Sequence, residues 1–311
     1  FYNHKISFRE DLSHMKIIDL IEQNSVTFSC EIFPPKPHIP LDECKSVIKG
    51  IAKTNPDFIS VTYGAGGSNS KRTIEIADHI QTQYQIPALA HLTCVASAKS
   101  DIASTLHQLK DKRITNILAL RGDVPQGMNP EDAVKDYRYA YQLIEDIKSQ
   151  GDFCVGAACY PEGHIECNRK MDDIDHLKQK VDCGCDFLTT QMFFDNQILY
   201  NFLYKTLAKG IHVPIVAGIM PVTNSSQIKR ICQLSGTYLP ERLGAMVEKF
   251  GDSPLAMKQA GIAYATEQII DLIANGVKAI HLYTMNKPDI AETIVSNLTE
   301  ILDKRTAAVP V

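Results

Sequence analysis

The sequence predicts a (β/α)8 barrel of the TIM type, and three observations predict it. Short runs rich in β-branched and apolar residues alternate with helical patterns. Eight such runs are spread over the 311 residues with no linker or low-complexity break between them. The polar residues within the runs gather near their C-terminal ends, the face where such barrels carry chemistry. Residues 1–311 are therefore expected to form one catalytic domain, with 1–25 as an N-terminal helical extension.

A helical stretch over 8–24 precedes the first strand, VTFSCEIF (26–33). FISVTYG (58–64), PALAHLTCV (87–95) and NILALRG (116–122) follow. Then come FCVGAACYP (153–161), FLTTQMFF (187–194), VPIVAGIMP (213–221) and AIHLYTMN (279–286). Helix signals fill the gaps. Asn129-Pro130-Glu131-Asp132 reads as an N-cap, a proline at the first helical position and an acidic first turn. The helix it starts should carry Tyr137, Tyr141, Ile144 and Ile147 on one stripe. Asn196 should cap a helix bearing Leu199, Phe202 and Leu203 and ending at Gly210. Ile290, Ile294, Leu298 and Ile301 mark the last helix, and the long gap between strands seven and eight should hold two or more helices.

A doubly wound sheet is the alternative architecture, and it would bind a dinucleotide through GxGxxG after a strand. GAGGSN at 64–69 has Asn69 where the third glycine belongs, so no such site is read. The GAGG loop either lets backbone approach a flat ligand or makes a tight turn.

Composition narrows the function classes. Apolar residues at 44% and charged residues at 22% are ordinary for a water-soluble chain. A net charge of −4 gives no reason to expect nucleic acid or an anionic membrane as partner. No apolar run approaches a membrane span, and no signal peptide opens the chain. The nine cysteines read as reduced thiols of a cytoplasmic protein. Cys159, His164 and Cys167 lack a fourth ligand at zinc spacing, so no metal is expected.

In a barrel, alternate side chains face the lumen and the helix layer. Val26, Phe28, Cys30 and Ile32 form an apolar outer set. Thr27, Ser29 and Glu31 then face the lumen, with Ser60, Thr62, His91, Thr93, Arg121, Asp123, Thr189 and Gln191 from later strands. Several of these have structural readings beside the functional one. Glu31 is either an ion-pair partner of Arg121 or an acid at the rim, and Asp123 either caps a helix or acts on a ligand. His91 and Gln191 are either satisfied core groups or site residues. As a pair, the two carboxylates differ. Phe28, Ile32 and Phe33 around Glu31 should raise its pKa and favour a proton donor. Asp123, after an Arg and a Gly, should stay ionised and stabilise a cation. Acid plus anion suits a reaction that protonates a nitrogen and develops an iminium ion.

FSCEIFPPK, VTYGAGGS, AHLTC, LALRGD, AACYPEGH, TTQMFFD, GIMPVTN and YTMN, in this order over about 26–290, resemble the 5,10-methylenetetrahydrofolate reductase family of the bacterial type. The resemblance implies a (β/α)8 barrel with non-covalent FAD at its C-terminal face. It implies ping-pong reduction of 5,10-methylenetetrahydrofolate to 5-methyltetrahydrofolate by NADH or NADPH, in one-carbon metabolism and methionine biosynthesis. By position, Glu31 looks like the acid that protonates the folate N10, and Asp123 like the carboxylate between pterin and flavin. Thr62, Tyr63, Ala65, His91, Arg121, Gly122, Asp123, Tyr139, Ala140, Tyr160, His164, Asp173 and Lys180 resemble the FAD-contacting set. Among them Arg121, His164 and Lys180 would meet phosphates or ribose. Gln191, Gln227 and Lys287 resemble folate or nicotinamide contacts. Lys287 stands where the family often has Arg, which keeps the charge and loses the bidentate fork. Ile231 replaces a stacking aromatic, and His176 and Gln179 are left unassigned. A folate as partner, a homo-oligomer and the absence of a C-terminal regulatory domain are further expectations. A Schiff-base lyase or aldolase on the same barrel is the rival reading, with Lys287 as its lysine.

Overall fold

The computed structural model describes residues 12–35, 39–40, 42–63, 70–124, 127–167 and 170–302. After a 3-10 turn (Leu12–His14), the chain runs α1 (Ile17–Gln23), β1 (Thr27–Ile32), α2 (Asp42–Ala52), β2 (Phe58–Val61), α3 (Ser70–Tyr84), β3 (Ala88–Thr93) and α4 (Lys99–Asp111). It continues through β4 (Asn116–Leu120), α5 (Ala140–Gln150), β5 (Cys154–Cys159), α6 (Lys170–Asp182), β6 (Phe187–Thr190), α7 (Asn196–Ala208) and β7 (Ile215–Ile219). Last come α8 (Ser225–Ser235), α9 (Glu241–Phe250), α10 (Pro254–Ala274), β8 (Ala279–Tyr283) and α11 (Pro288–Asn297). The eight strands pair in sequence order and close into a parallel barrel, as the alternation of runs and helices predicts. Among the described residues no helix is long and apolar enough to cross a membrane.

Strand parity divides the interior in two. Phe28, Cys30 and Ile32 of β1 point outward and are fully buried against the helix layer, where Cys44, Ile48 and Ile51 of α2 join the same core. The lumen is filled separately. Phe58, Leu89, Leu118, Cys154, Phe187, Val216 and Ala279 form an apolar plug with Ile17 and Ile21 of α1. The N-terminal extension thus closes the lower end of the barrel.

Buried polar groups fasten it there. Asn116, fully buried on β4, accepts from Ile17 N at 2.9 Å and donates to Met15 O at 3.1 Å, so both ends of its amide are satisfied. Thr27 Oγ1 donates to Leu20 O at 3.2 Å, and Lys16 pairs with Asp152 at 2.6 Å. Among the described residues this end is sealed, which leaves the C-terminal ends of the strands for a ligand.

Three helix expectations need correction. The Asn129 signal starts only a turn, with its side chain accepting from Glu131 N at 3.1 Å. The helix begins at Ala140, where Gln142 Oε1 accepts from Arg138 N and Tyr139 N at 2.7 and 3.0 Å. Tyr137 lies before it, its ring buried and its hydroxyl donating to Asp146. Asp195, rather than Asn196, caps α7 by accepting from Gln197 N at 2.9 Å. Asn196 instead donates to Gln268 O and Asp271 Oδ2 of α10 at 3.1 and 2.6 Å. α11 ends at Asn297, so Leu298 and Ile301 continue its apolar spacing beyond the helix. The gap before β8 holds three helices. The extension is helical only over the 3-10 turn and α1, and its residues before 12 lie outside the described residues.

Gly218 on β7 sits at a tight point of the lumen. A Cβ there would lie 2.5 Å from Thr190 O and 2.6 Å from Cε2 of Tyr283, whose hydroxyl donates to Thr190 O at 2.5 Å. Gly218→Ala should therefore cost about 1–3 kcal/mol by overpacking. Urea denaturation is expected to show a lower midpoint with an unchanged slope.

Candidate active site

A cavity of about 530 Å3 opens at the C-terminal end of the barrel. Glu31, Thr62, Tyr63, His91, Gly122, Asp123, Tyr160 and Gln191 all line it, as do Thr189, His281 and Tyr283. Its floor is a polar layer resting on the apolar plug. Register builds that layer, because Ser29 pairs with His281 and Glu31 with both Ser60 and Tyr283.

Glu31 is largely buried there, and its ion-pairing groups among the described residues are two imidazoles. Oε2 lies 3.8 Å from His91 Nε2 and 3.9 Å from His281 Nε2, while Glu31 O accepts from Thr284 Oγ1 at 2.6 Å. Phe28 and Ile32 turn outward, so Glu31 meets histidines and Tyr283 in place of the apolar neighbours expected from sequence.

Each imidazole is oriented by a serine. Ser60 Oγ lies 2.7 Å from His91 Nε2, and Ser29 Oγ lies 2.8 Å from His281 Nδ1. The Ser29 hydroxyl also donates to Ile280 O at 3.1 Å, which fixes its position on the strand. Burial pushes His91 down to about 4 and outweighs the opposing pull of Glu31, so His91 is neutral near pH 7. Burial also holds the Tyr283 phenol well above its usual range, reinforced by Glu31.

The cationic groups lie on the β4–β6 side. Arg121 follows β4, and its guanidinium meets Glu166 as a fork, Nη1 to Oε2 at 2.5 Å and Nη2 to Oε1 at 2.9 Å. This hydrogen bond raises the Arg121 pKa further and lowers that of Glu166. The structural reading of Glu31 as partner of Arg121 is thereby overturned. Gly122 has φ 84°, and a Cβ on it would come within 2.9 Å of Thr93 and Val95 side-chain carbons. Only glycine makes this turn and delivers Asp123 to the rim.

Tyr160 is the hub of this side. His164 meets its ring edge-on at 4.6 Å, and Lys180 Nζ lies 5.9 Å from its centroid while donating to Ala158 O at 2.9 Å. Burial pushes the Tyr160 phenol up to about 12, against the pull of Arg121. Burial lowers the pKa of Lys180 and, together with Arg121, that of His164. His164 N donates to Asp173 Oδ2 at 3.3 Å, drawing the loop onto α6.

Not every expected residue joins. Arg121, His164, Asp173 and Lys180 gather at Tyr160 without lining the cavity, and Arg121 misses the expected lumen position because β4 turns Leu118 and Leu120 inward. Tyr139 is half exposed before α5, its ring stacked on Tyr141 at 6.1 Å, and neither it nor Ala140 lines the cavity. Gln227 is exposed on α8. Lys287 is exposed beyond β8, where its Nζ donates to Thr223 Oγ1 at 3.2 Å. Ala65 lies outside the described residues. Ile231 packs beside Met192, Phe194 and Met220. His281, Tyr283 and Glu166 were not anticipated. The alternation in AIHLY marks the first two as lumen residues once the barrel is assumed, whereas nothing in the sequence pairs Glu166 with Arg121.

The family model for methylenetetrahydrofolate reductase matches residues 16–299. The chain belongs to this family. It is 35% identical over 300 residues to "Methylenetetrahydrofolate reductase (NADH) 1" of Arabidopsis thaliana, covering 91% of this chain and 51% of that protein. It is 32% identical to the "5,10-methylenetetrahydrofolate reductase" of Pectobacterium carotovorum subsp. carotovorum, covering 89% of this chain and 91% of that one. The Escherichia coli (strain K12) reductase is 31% identical, with 89% and 92% covered. The chain thus spans about half the length of its plant relatives and most of the short bacterial ones. A Clostridium thermocellum protein described as binding two copies of 5-methyl-5,6,7,8-tetrahydrofolic acid shares the fold, with TM-score 0.57 and 13% identity over 92% of this chain and 99% of that one.

The depressed His91 pKa makes this member of the reductase family acid-sensitive. Between pH 6.5 and about 4 the unfolded chain takes up a proton at His91 that the folded chain refuses. Its contribution to stability is full above pH 6.5 and is lost as the pH falls to about 4. His91→Gln should remove about 3 kcal/mol of the stability difference between neutral and acid pH, read by urea denaturation at both.

Proposed function

We propose that this chain reduces 5,10-methylenetetrahydrofolate to 5-methyltetrahydrofolate with NADH or NADPH. The nicotinamide and the folate use the cavity at the C-terminal end of the barrel in turn, in a ping-pong sequence through non-covalent FAD. The observation that carries this reading is the Glu31 carboxyl on the cavity floor between two serine-oriented imidazoles.

The donor set fits a flavin. Thr189 Oγ1 is buried on the cavity wall with no hydrogen-bond partner among the described residues. An aromatic hub, Tyr160, is ringed by Arg121, His164 and Lys180, which suit a diphosphate and ribose, and Asp173 suits a ribose hydroxyl. Thr62, Tyr63, His91 and Gly122 line the wall for a ring system. When bound, FAD would supply the hydride storage that separates the two half-reactions.

The chain's own residues supply acid and charge. Glu31 gives its proton to the folate amine nitrogen that leaves as the five-membered ring opens, and the His281–Ser29 pair behind it holds the geometry in which it is reprotonated. Asp123, exposed at the rim after the Gly122 turn, stabilises the iminium cation that forms on the folate. Gln191, whose Oε1 accepts from Met192 N at 3.0 Å, keeps its amide N–H groups for the ring of the folate. Lys287 and Gln227, outside the cavity, suit the distal part of a long substrate. The lyase reading loses support because no lysine lines the cavity among the described residues.

Purified protein should show oxidised-flavin absorbance that NADH or NADPH bleaches without oxygen. Glu31→Gln should retain this bleaching and lose folate reduction by about 100-fold or more, followed by stopped flow. Equal loss in both half-reactions would make Glu31 structural.

A further inference from the structure

Beside the Tyr160 cluster, Cys167, Asp173 and His176 bring one thiol, one carboxylate and one imidazole together, with ligand atoms within 4.8 Å of one another. Two backbone ties prepare this grouping. Cys167 N donates to His164 O at 2.9 Å, closing a turn, and His164 N donates to Asp173 Oδ2 at 3.3 Å, tying that turn to α6. Asp173 and His176 are three residues apart on α6 and share its face. Cys167 and Asp173 are half-buried and His176 is exposed, so a solvent ion can reach all three.

We propose that Cys167, Asp173 and His176 bind one zinc-class divalent cation beside the Tyr160 cluster, with solvent as fourth ligand. Thiolate, imidazole and carboxylate are the donors such ions select, and three protein ligands with one open position make a familiar tetrahedral set. With bonds of about 2.0–2.3 Å, ligand atoms sit roughly 3.3–3.8 Å apart, so side-chain rotation of about 1 Å closes the site. Binding releases the Cys167 thiol proton to solvent. The spacing that argued against Cys159, His164 and Cys167 missed this triple because Cys159 packs in the main core and the helix supplies the other two ligands.

Asp173 cannot serve a metal and a flavin ribose at once, so the two should compete. This clause rests on the flavin reading above, whereas metal binding itself does not.

Full-length protein, flavin-free and flavin-loaded, is titrated with Co2+ and then Zn2+. One Co2+ per chain should give a thiolate-to-cobalt charge-transfer band that Zn2+ removes. Cys167→Ser should abolish the band. His176→Ala should weaken binding by at least the roughly tenfold that loss of an outer-shell partner costs. Both variants should keep wild-type melting and metal-free activity. Zn2+ should raise the FAD dissociation constant about fivefold or more in wild type and leave it unchanged in Cys167→Ser. Absence of the band, or its survival in Cys167→Ser, overturns the site. A band with unchanged FAD affinity overturns the sharing of Asp173. A protein that gives the band and binds no FAD overturns the flavin reading alone.

Discussion

A closed parallel barrel leaves a lumen that only its own side chains can fill, and every second residue of every strand must be fitted to it. In this chain the lower lumen is apolar and is completed by Ile17 and Ile21 of α1. Above the plug the same parity delivers Ser29, Ser60, His91, Thr189 and His281, which cannot be buried cheaply without partners. Pairing them fixes their orientation. Ser29 with His281 and Ser60 with His91 are the outcome, and both imidazoles then face Glu31. The acid's environment thus follows from closing the barrel.

That environment differs in kind from an apolar pocket. A carboxyl among aliphatic side chains is affected mainly by desolvation, whereas Glu31 is coupled to groups that themselves exchange protons. His91 is held neutral by burial, which spares the floor a second charge. His281 differs in that its Nδ1 meets Ser29, which leaves Nε2 facing the carboxyl.

Legibility from sequence followed the range of the interactions. The barrel, its eight strands and the outward placement of Phe28, Cys30 and Ile32 rest on periodicity, which is local. So do the lumen positions of Glu31, His91 and Gln191. Register is not local: that Glu31 lies beside Tyr283 and Ser29 beside His281 appears only when β8 closes on β1. Helix starts failed where a side chain from the next turn outbid the local signal, as Gln142 did over Asn129. The Arg121–Glu166 fork spans 45 residues and carries no pattern at all. Tyr139 and Gln227 came from the family resemblance alone, and the structure leaves both off the cavity wall.

The cavity separates its charges. The acid and its histidines occupy the β1, β3 and β8 side, while Arg121 and Lys180 flank Tyr160 on the other. Arg121 is already neutralised by Glu166, but its fork commits only one hydrogen on each terminal nitrogen, and donors remain for a second anion. Among the described residues Lys180 has no such carboxylate fork, and burial disfavours its charge. An anion arriving beside Tyr160 would restore the balance that burial removed, so anion binding and full protonation of Lys180 favour each other by linkage. A diphosphate would therefore be held where its charge relieves an existing cost, on the side of the cavity away from Glu31. The Glu31 carboxyl is then spared the field of such an anion at short range.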